Sequence, residues 1–206
     1  MITAAVTLLV ILTVVVVWQA HNTAQETPVQ TEDAATEPEV ATPNELQGIQ
    51  AGTYYLEVTD NDGAVLAATG NENDDYTTVR IASQGSDAPT EQITLAVVDE
   101  ETCTLTFANG LALDGGDPSA PAGQHLYATQ PSDSDSQRWI LERNDNGSYT
   151  IVNKATGYAI EASDIYVSSY VVTDTVDQTD YYQRFTFVAT TAAKTSMTAQ
   201  GGGTSA

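Results

Sequence analysis

At 206 residues the chain has room for one ordinary domain with appendages. Its net charge of −22, from 28 carboxylates against six Lys and Arg, excludes nucleic acid and anionic lipid headgroups, because binding either demands basic side chains to neutralise phosphate. The acidity is spread along the chain rather than gathered in one tail, which favours a solubility role over one designated cation site.

Ile2 to Trp18 is continuously apolar apart from Thr3, Thr7 and Thr13. It is short for a membrane span and long for the apolar region of a signal peptide. No Lys or Arg precedes it and the cleavage sites are poor, since Trp18 or Asn22 falls three positions before the candidate cuts. Residues 1–20 are therefore expected to form an N-terminal hydrophobic helix acting as a signal-anchor, with Trp18 at the interface. A start codon placed too far downstream, or a pilin-like filament core, are the alternatives. A disordered acidic linker is expected over residues 21–48, rich in Thr, Ala, Pro and Glu and without an aromatic from His21 to Gln47. The glycine-rich end, residues 190–206, reads as a disordered tail.

Between these segments one unit recurs three times, over about 52–99, 100–145 and 146–189. Thr53 to Thr59 alternates, with Tyr54, Leu56 and Val58 on one face. Cys103, Leu105 and Phe107 repeat that pattern, as do Tyr149 and Ile151. Period-two patterning predicts half-buried antiparallel strands. Each strand meets a turn closed by Gly63, Gly110 or Gly157, spaced 47 residues apart, and a second strand carrying Leu66, Leu113 or Ile160. Asp99-Glu100-Glu101 and Asn144-Asp145-Asn146-Gly147 turn one unit into the next. No helical periodicity follows residue 20. Three strand-rich units that cannot bury their own apolar faces must close on one another, which makes residues 49–189 one all-β domain.

The units end on Gln92, Gln137 and Gln183. Gln137-Arg138-Trp139 and Gln183-Arg184-Phe185 resemble the Gln-x-Trp repeats of ricin-type β-trefoil lectins, over roughly Gly52 to Val188. The resemblance implies a β-trefoil of three repeats, with Trp139 and Phe185 packed near a pseudo-threefold axis and each Gln tying its loop to the core. The first unit departs from it. Gln92 is followed by Ile93-Thr94, one residue out of step, so a β-bulge or a shifted pairing is expected there.

The resemblance also implies a shallow sugar pocket in the second unit. Asp114 takes the carboxylate position and Tyr127 the stacking position, with His125 and Gln130 as further polar contacts. Ser136 stands where that family prefers Asn. In the third unit Glu161 replaces the Asp and Thr173 stands in place of the aromatic; in the first, Ala67 occupies the carboxylate position. The competing reading makes Asp114 to Pro118 a polar turn and Tyr127 a core-edge aromatic.

No catalytic constellation emerges, because carboxylate pairs such as Asp74-Asp75 have no nucleophile or ligand His beside them. Cys103 falls on the apolar face of its strand, where a small buried hydrophobe is expected. Asp60-Asn61-Asp62-Gly63 begins like a calcium loop but lacks the later ligands, so neither metal nor cofactor is expected. Asn146-Gly147-Ser148 matches a glycosylation sequon, though hairpin geometry alone explains it. The expectation is a non-catalytic module, secreted or displayed on the outer face of a membrane held only through residues 1–20, that binds glycans. The alternative is a structural or protein-interaction head that contacts a cell-surface protein and no sugar.

Overall fold

The computed structural model describes residues 45–68, 76–85 and 90–190. The hydrophobic N-terminus, residues 21–44 of the linker and residues 191–206 of the tail lie outside them. Within the described residues the domain is built from strands and two single-turn 3-10 helices.

Two short strands open it, β1 (Glu45–Leu46) and β2 (Ile49–Gln50), paired as a hairpin. Leu46 and Ile49 are buried in the core cluster, which moves the start of the domain from residue 49 to residue 45. Leu46 and Ile49, paired on either side of the Gln47-Gly48 turn, give the end of the expected tether a surface to bury. At the other terminus Thr190 is buried and its amide donates to the Thr53 carbonyl at 3.2 Å, so the packed chain runs one residue past the expected boundary.

The first unit holds β3 (Gly52–Val58), β4 (Ala64–Ala68), β5 (Tyr76–Ser83) and β6 (Gln92–Val97). The second holds β7 (Thr102–Phe107), β8 (Ala112–Asp114), β9 (Gln124–His125), β10 (Tyr127–Thr129) and β11 (Trp139–Arg143). The third holds β12 (Tyr149–Asn153), β13 (Ala159–Ala162), β14 (Val171–Asp174) and β15 (Phe185–Ala189).

The first and last strands of each unit form a closed ring. β3 pairs with β6, β6 with β7, β7 with β11, β11 with β12, β12 with β15, and β15 returns to β3. A six-membered antiparallel ring has no open edge, which removes the hazard that a free strand presents. The inner strands make three hairpins, β4–β5, β8–β10 and β13–β14. These meet where Val79 donates its amide to the Leu126 carbonyl at 2.9 Å and Leu126 donates to Val171 at 2.8 Å. All three residues are fully buried, one from each unit. This is the β-trefoil arrangement: barrel, hairpin cap and pseudo-threefold axis.

The expected inward residues are the observed core. Leu56, Leu105 and Ile151 are fully buried, as are Leu66, Leu113 and Ile160. Gly63, Gly110 and Gly157 hold φ of 81°, 91° and 71°, the left-handed region that a side chain resists.

The register corrects the reading of the first unit. Ile93 lies opposite Phe107, Trp139 opposite Asn153, and Phe185 opposite Val58, each at the same place in its ring pairing. Ile93 therefore occupies the aromatic position, 46 residues before Trp139. The residue two positions earlier, in the place of Gln137 and Gln183, is Glu91 and not Gln92. No bulge interrupts β6, whose pairing with β7 runs unbroken from Ile93 to Val97. Glu91 is buried and accepts from the Gly85 amide at 3.4 Å, just as Gln137 accepts from Ser132 and Gln183 from Asp177. The loop-tying role survives in a carboxylate.

Two single 3-10 turns are compatible with the absence of helical periodicity. Asp135–Gln137 and Tyr181–Gln183 are single 3-10 turns, capped by Ser134 and Asp180, and each delivers its motif Gln into the core. A three-residue turn is too short to leave a periodic signature.

Candidate functional site

Asp114 ends β8 and stands directly across from Tyr127 on β10. Its Oδ1 accepts from the Gly116 amide at 2.9 Å. Its Oδ2 accepts from the Thr129 hydroxyl at 3.0 Å and the Gln137 amide at 3.1 Å. Gln137 Nε2 also donates to Thr129 Oγ1 at 2.8 Å and to the Gln130 carbonyl at 3.0 Å, while its Oε1 takes the Ser132 amide at 2.6 Å. The half-buried carboxylate is thus held in one orientation by three donors of the second unit, Gly116, Thr129 and Gln137. Fixing a polar group beforehand lowers the ordering cost when a ligand arrives.

Tyr127 is half-buried, and the exposed Tyr76 of the first unit meets its ring edge-on at a centroid distance of 5.6 Å and an interplanar angle of 82°. This contact leans the phenol ring against a neighbour and favours one rotamer. A carboxylate next to a partly open aromatic face offers hydroxyl recognition and an apolar platform together.

The other three expected residues are distributed less compactly. Gln130 contributes its backbone carbonyl to the Gln137 network. The Ser136 hydroxyl bonds the Ser134 hydroxyl at 2.9 Å inside the 3-10 cap, and the Ser136 carbonyl accepts from the Gly115 amide and from Asn153. His125 lies exposed and stacks on Tyr170 of the third unit at 3.9 Å and 7°. The Arg80 guanidinium of the first unit sits 3.7 Å over the same Tyr170 ring. One ring face cannot hold both groups so closely, so Arg80, Tyr170 and His125 form a three-layer stack joining all three units.

A recess of about 190 Å³ opens beside Tyr127. His125, Gly116 and Asp117 line it from the second unit, and Thr156, Tyr158 and Thr173 from the third. Hydrogen bonds from the Ser119 amide and hydroxyl hold the Asp117 carboxyl below the usual carboxylate range, which keeps charge at that rim. Asp114, Gln130 and Ser136 are not part of the lining.

The other units show why theirs departed from this pattern. Glu161 accepts from Gln183 Nε2 at 2.9 Å, repeating the carboxylate–amide pair. Its cross-strand partner is Val172, whereas Thr173 faces Ile160. The missing aromatic is therefore replaced by Val172, not by Thr173. In the first unit Ala67 faces Arg80, and Arg80 is spent on Tyr170. Among the described residues no group of His, Cys, Asp and Glu has the placement to hold a metal ion. Cys103 is buried, its thiol donates to the Trp139 carbonyl at 3.6 Å, and burial pushes its pKa up to about 12. Such a thiol is a core residue and no nucleophile at neutral pH.

Sequence reading missed Thr129, Tyr158 and the Gly115–Asn153 contact. Thr129 was within reach, lying two residues after Tyr127 on the same face of one strand. Tyr158 follows the turn glycine where the other units place buried Ala64 and Leu111, a contrast visible once the repeats are aligned. Gly115–Asn153 joins different units and leaves no local mark.

Residues 98–169 match the family model of ricin-type beta-trefoil lectin domain-like proteins. No curated protein matches the chain. Among solved structures, the designed threefold-symmetric protein ThreeFoil is 22% identical, with 68% of this chain and 99% of that chain covered and a TM-score of 0.61. A lectin of Polyporus squamosus, bound to a human-type influenza-binding epitope, is 23% identical over 66% of this chain, with a TM-score of 0.57. The chain spans about half of that lectin, 48% of its length. The ricin B-like lectin of Macrolepiota procera, in complex with lactose, is 18% identical, with 69% and 99% covered and a TM-score of 0.56. The described domain is a β-trefoil whose second unit and the start of whose third carry the likeness to ricin-type lectins.

Proposed function

We propose that the domain is a non-catalytic carbohydrate-binding module with one working site, on its second unit. Asp114 accepts hydrogen bonds from sugar hydroxyls and Tyr127 stacks on the apolar face of the ring. The observation carrying this reading is the direct cross-strand pairing of Asp114 with Tyr127, the carboxylate held by Gly116, Thr129 and Gln137. The likeness to lectins solved with glycans supports it. The first and third units contribute no comparable site, since neither sets a carboxylate across from an aromatic. Residues 1–20 export the domain or anchor it, and the acidic segment holds it off the membrane, so its glycans are met outside the cell.

A glycan array comparing the wild-type chain with Asp114→Ala and Tyr127→Ala tests the reading. Each variant is expected to lose binding at least about tenfold, the effect of one charge-assisted hydrogen bond or one aromatic platform. Wild-type protein that binds no glycan would overturn it. A second reading, a protein-interaction head, draws on the large exposed side chains of Tyr166 and Val167 in the third unit, which are 72% and 60% exposed. It predicts binding to a surface protein that neither substitution weakens.

A further inference from the structure

We infer that the third unit completes the sugar groove of the second, with Tyr158 as a second platform, so that the preferred ligand is a glycan of two or more rings rather than one sugar. This rests on the carbohydrate reading above.

The recess beside Tyr127 is lined by two units: His125, Tyr127 and Gly116 from the second, and Thr156, Tyr158 and the buried Thr173 from the third. The recess is small, about 190 Å³, and Asp114 lies outside its lining, so a sugar ring bonded to Asp114 leaves the Tyr158 side for a second ring. Two tyrosines and a histidine with polar atoms at the rim suit a ligand that alternates apolar ring faces with hydroxyls.

The repeat itself marks Tyr158 as an exception. The residue after the turn glycine is Ala64 in the first unit and Leu111 in the second, both buried. In the third unit that position carries a large half-buried phenol which turns into the recess. A core position has been given an amphipathic ring.

The turn that carries Tyr158 is also fastened to the second unit in a way the other turns are not. Asn153 stands where the ring register has Val58 and Phe107. Its Oδ1 accepts from the Ala155 amide, the Thr156 amide and the Thr156 hydroxyl at 3.1, 3.1 and 3.3 Å. Its Nδ2 donates to the Ser136 carbonyl at 2.7 Å. A Cβ on Gly115 would come within 2.3 Å of this carboxamide, so the glycine next to Asp114 exists to let Asn153 in. Asn153 thereby pins the Tyr158 turn against the strand end that carries Asp114. A fixed distance between two platforms is what selects an extended ligand over a short one.

The test is an array bearing mono-, di- and trisaccharides that share a terminal sugar, probed with the full chain, Tyr158→Leu, Tyr158→Ala and Asp114→Ala. Tyr158→Leu reproduces the residue of the second unit and keeps an apolar side chain for folding, which thermal melting checks. Wild-type protein is expected to prefer the longer glycans, and both Tyr158 variants to lose that preference by about five- to tenfold, one aromatic platform. Asp114→Ala is expected to lose all lengths alike. Equal wild-type binding of all lengths, or an undiminished preference in folded Tyr158→Leu, overturns the composite groove and leaves the single-ring site standing. No glycan binding by wild type, with the protein folded, overturns the carbohydrate reading itself.

Discussion

Gln137 donates its side-chain amide to Asp114 Oδ2 at 3.1 Å, and the same pairing recurs between Gln183 and Glu161 at 2.9 Å. In the first unit both partners have changed together. Glu91 replaces the glutamine and Ala67 the carboxylate, so no donor is left and no acceptor waits for one. A carboxylate at residue 67 would face Glu91 as a like charge in a half-dry setting. Paired loss avoids that cost.

This coupling predicts a non-additive double substitution. Gln137→Glu should destabilise the domain by about 1–3 kcal/mol, because it removes a donor from three acceptors and sets a second carboxylate against Asp114. Adding Asp114→Ala, which recreates the first unit, should recover part of the loss. Urea denaturation of the two single variants and the double variant measures the coupling energy. Strict additivity would show that the two side chains act independently.

Gly115 is predicted to tolerate no side chain. Alanine there would strike the Asn153 carboxamide, which cannot swing away without giving up its bonds to Ser136, Ala155 and Thr156. A cost of about 2–3 kcal/mol is expected from overpacking and lost hydrogen bonds. Chemical denaturation of Gly115→Ala checks it, and Gly115→Ala combined with Asn153→Ala should cost less than the sum of the two.

Glu161 makes stability depend on pH in a defined direction. Burial raises its pKa, and the charges of Asp180, Asp174 and Asp177 add to the rise, while the Gln183 hydrogen bond opposes it. A carboxyl with a raised folded-state pKa contributes stability that is fully present below its unfolded pKa, near 4.3, and is lost as pH rises through the folded value. Glu161→Gln keeps an acceptor for Gln183 and removes the charge. Its melting temperature should exceed wild type by roughly 1–3 °C at pH 7, with the difference vanishing at pH 4. A variant that melts lower than wild type at pH 7 contradicts the assignment.

Cys103 is predicted to be silent toward thiol reagents in the native state. Its sulfur is buried against the Trp139 carbonyl, and its pKa of about 12 leaves almost no thiolate at pH 8. Ellman's reagent should report no thiol in folded protein and one per chain in denaturant. Fast labelling of the folded domain would mean that the strand around Cys103 opens readily.

Much of the fold was legible because strand faces and hairpin turns leave local marks. Leu56, Leu105 and Ile151 announce the inward face by alternation, and Gly63, Gly110 and Gly157 announce the turns. Register leaves no such mark. Whether Glu91 or Gln92 is the motif residue depends on which residue of β7 lies opposite Ile93, a partner fourteen positions away across a hairpin. The N-terminal hairpin was misread for a related reason: Leu46 and Ile49 look isolated in a polar stretch until the core cluster that receives them is assembled.

By itself the sequence determined the threefold repeat, the all-β class and the burial of Cys103, since each rests on periodicity or on spacing within one unit; Asp114 and Tyr127 stood as candidates only through the resemblance to ricin-type lectins. Only the tertiary structure decided that His125 stacks on Tyr170 beneath Arg80, that Asn153 packs under Gly115, and that Tyr158 faces the same recess as Tyr127. Those contacts join residues from different units. Closing the ring of strands is what brings them within reach, and a side chain's identity does not encode which distant neighbour that closure supplies.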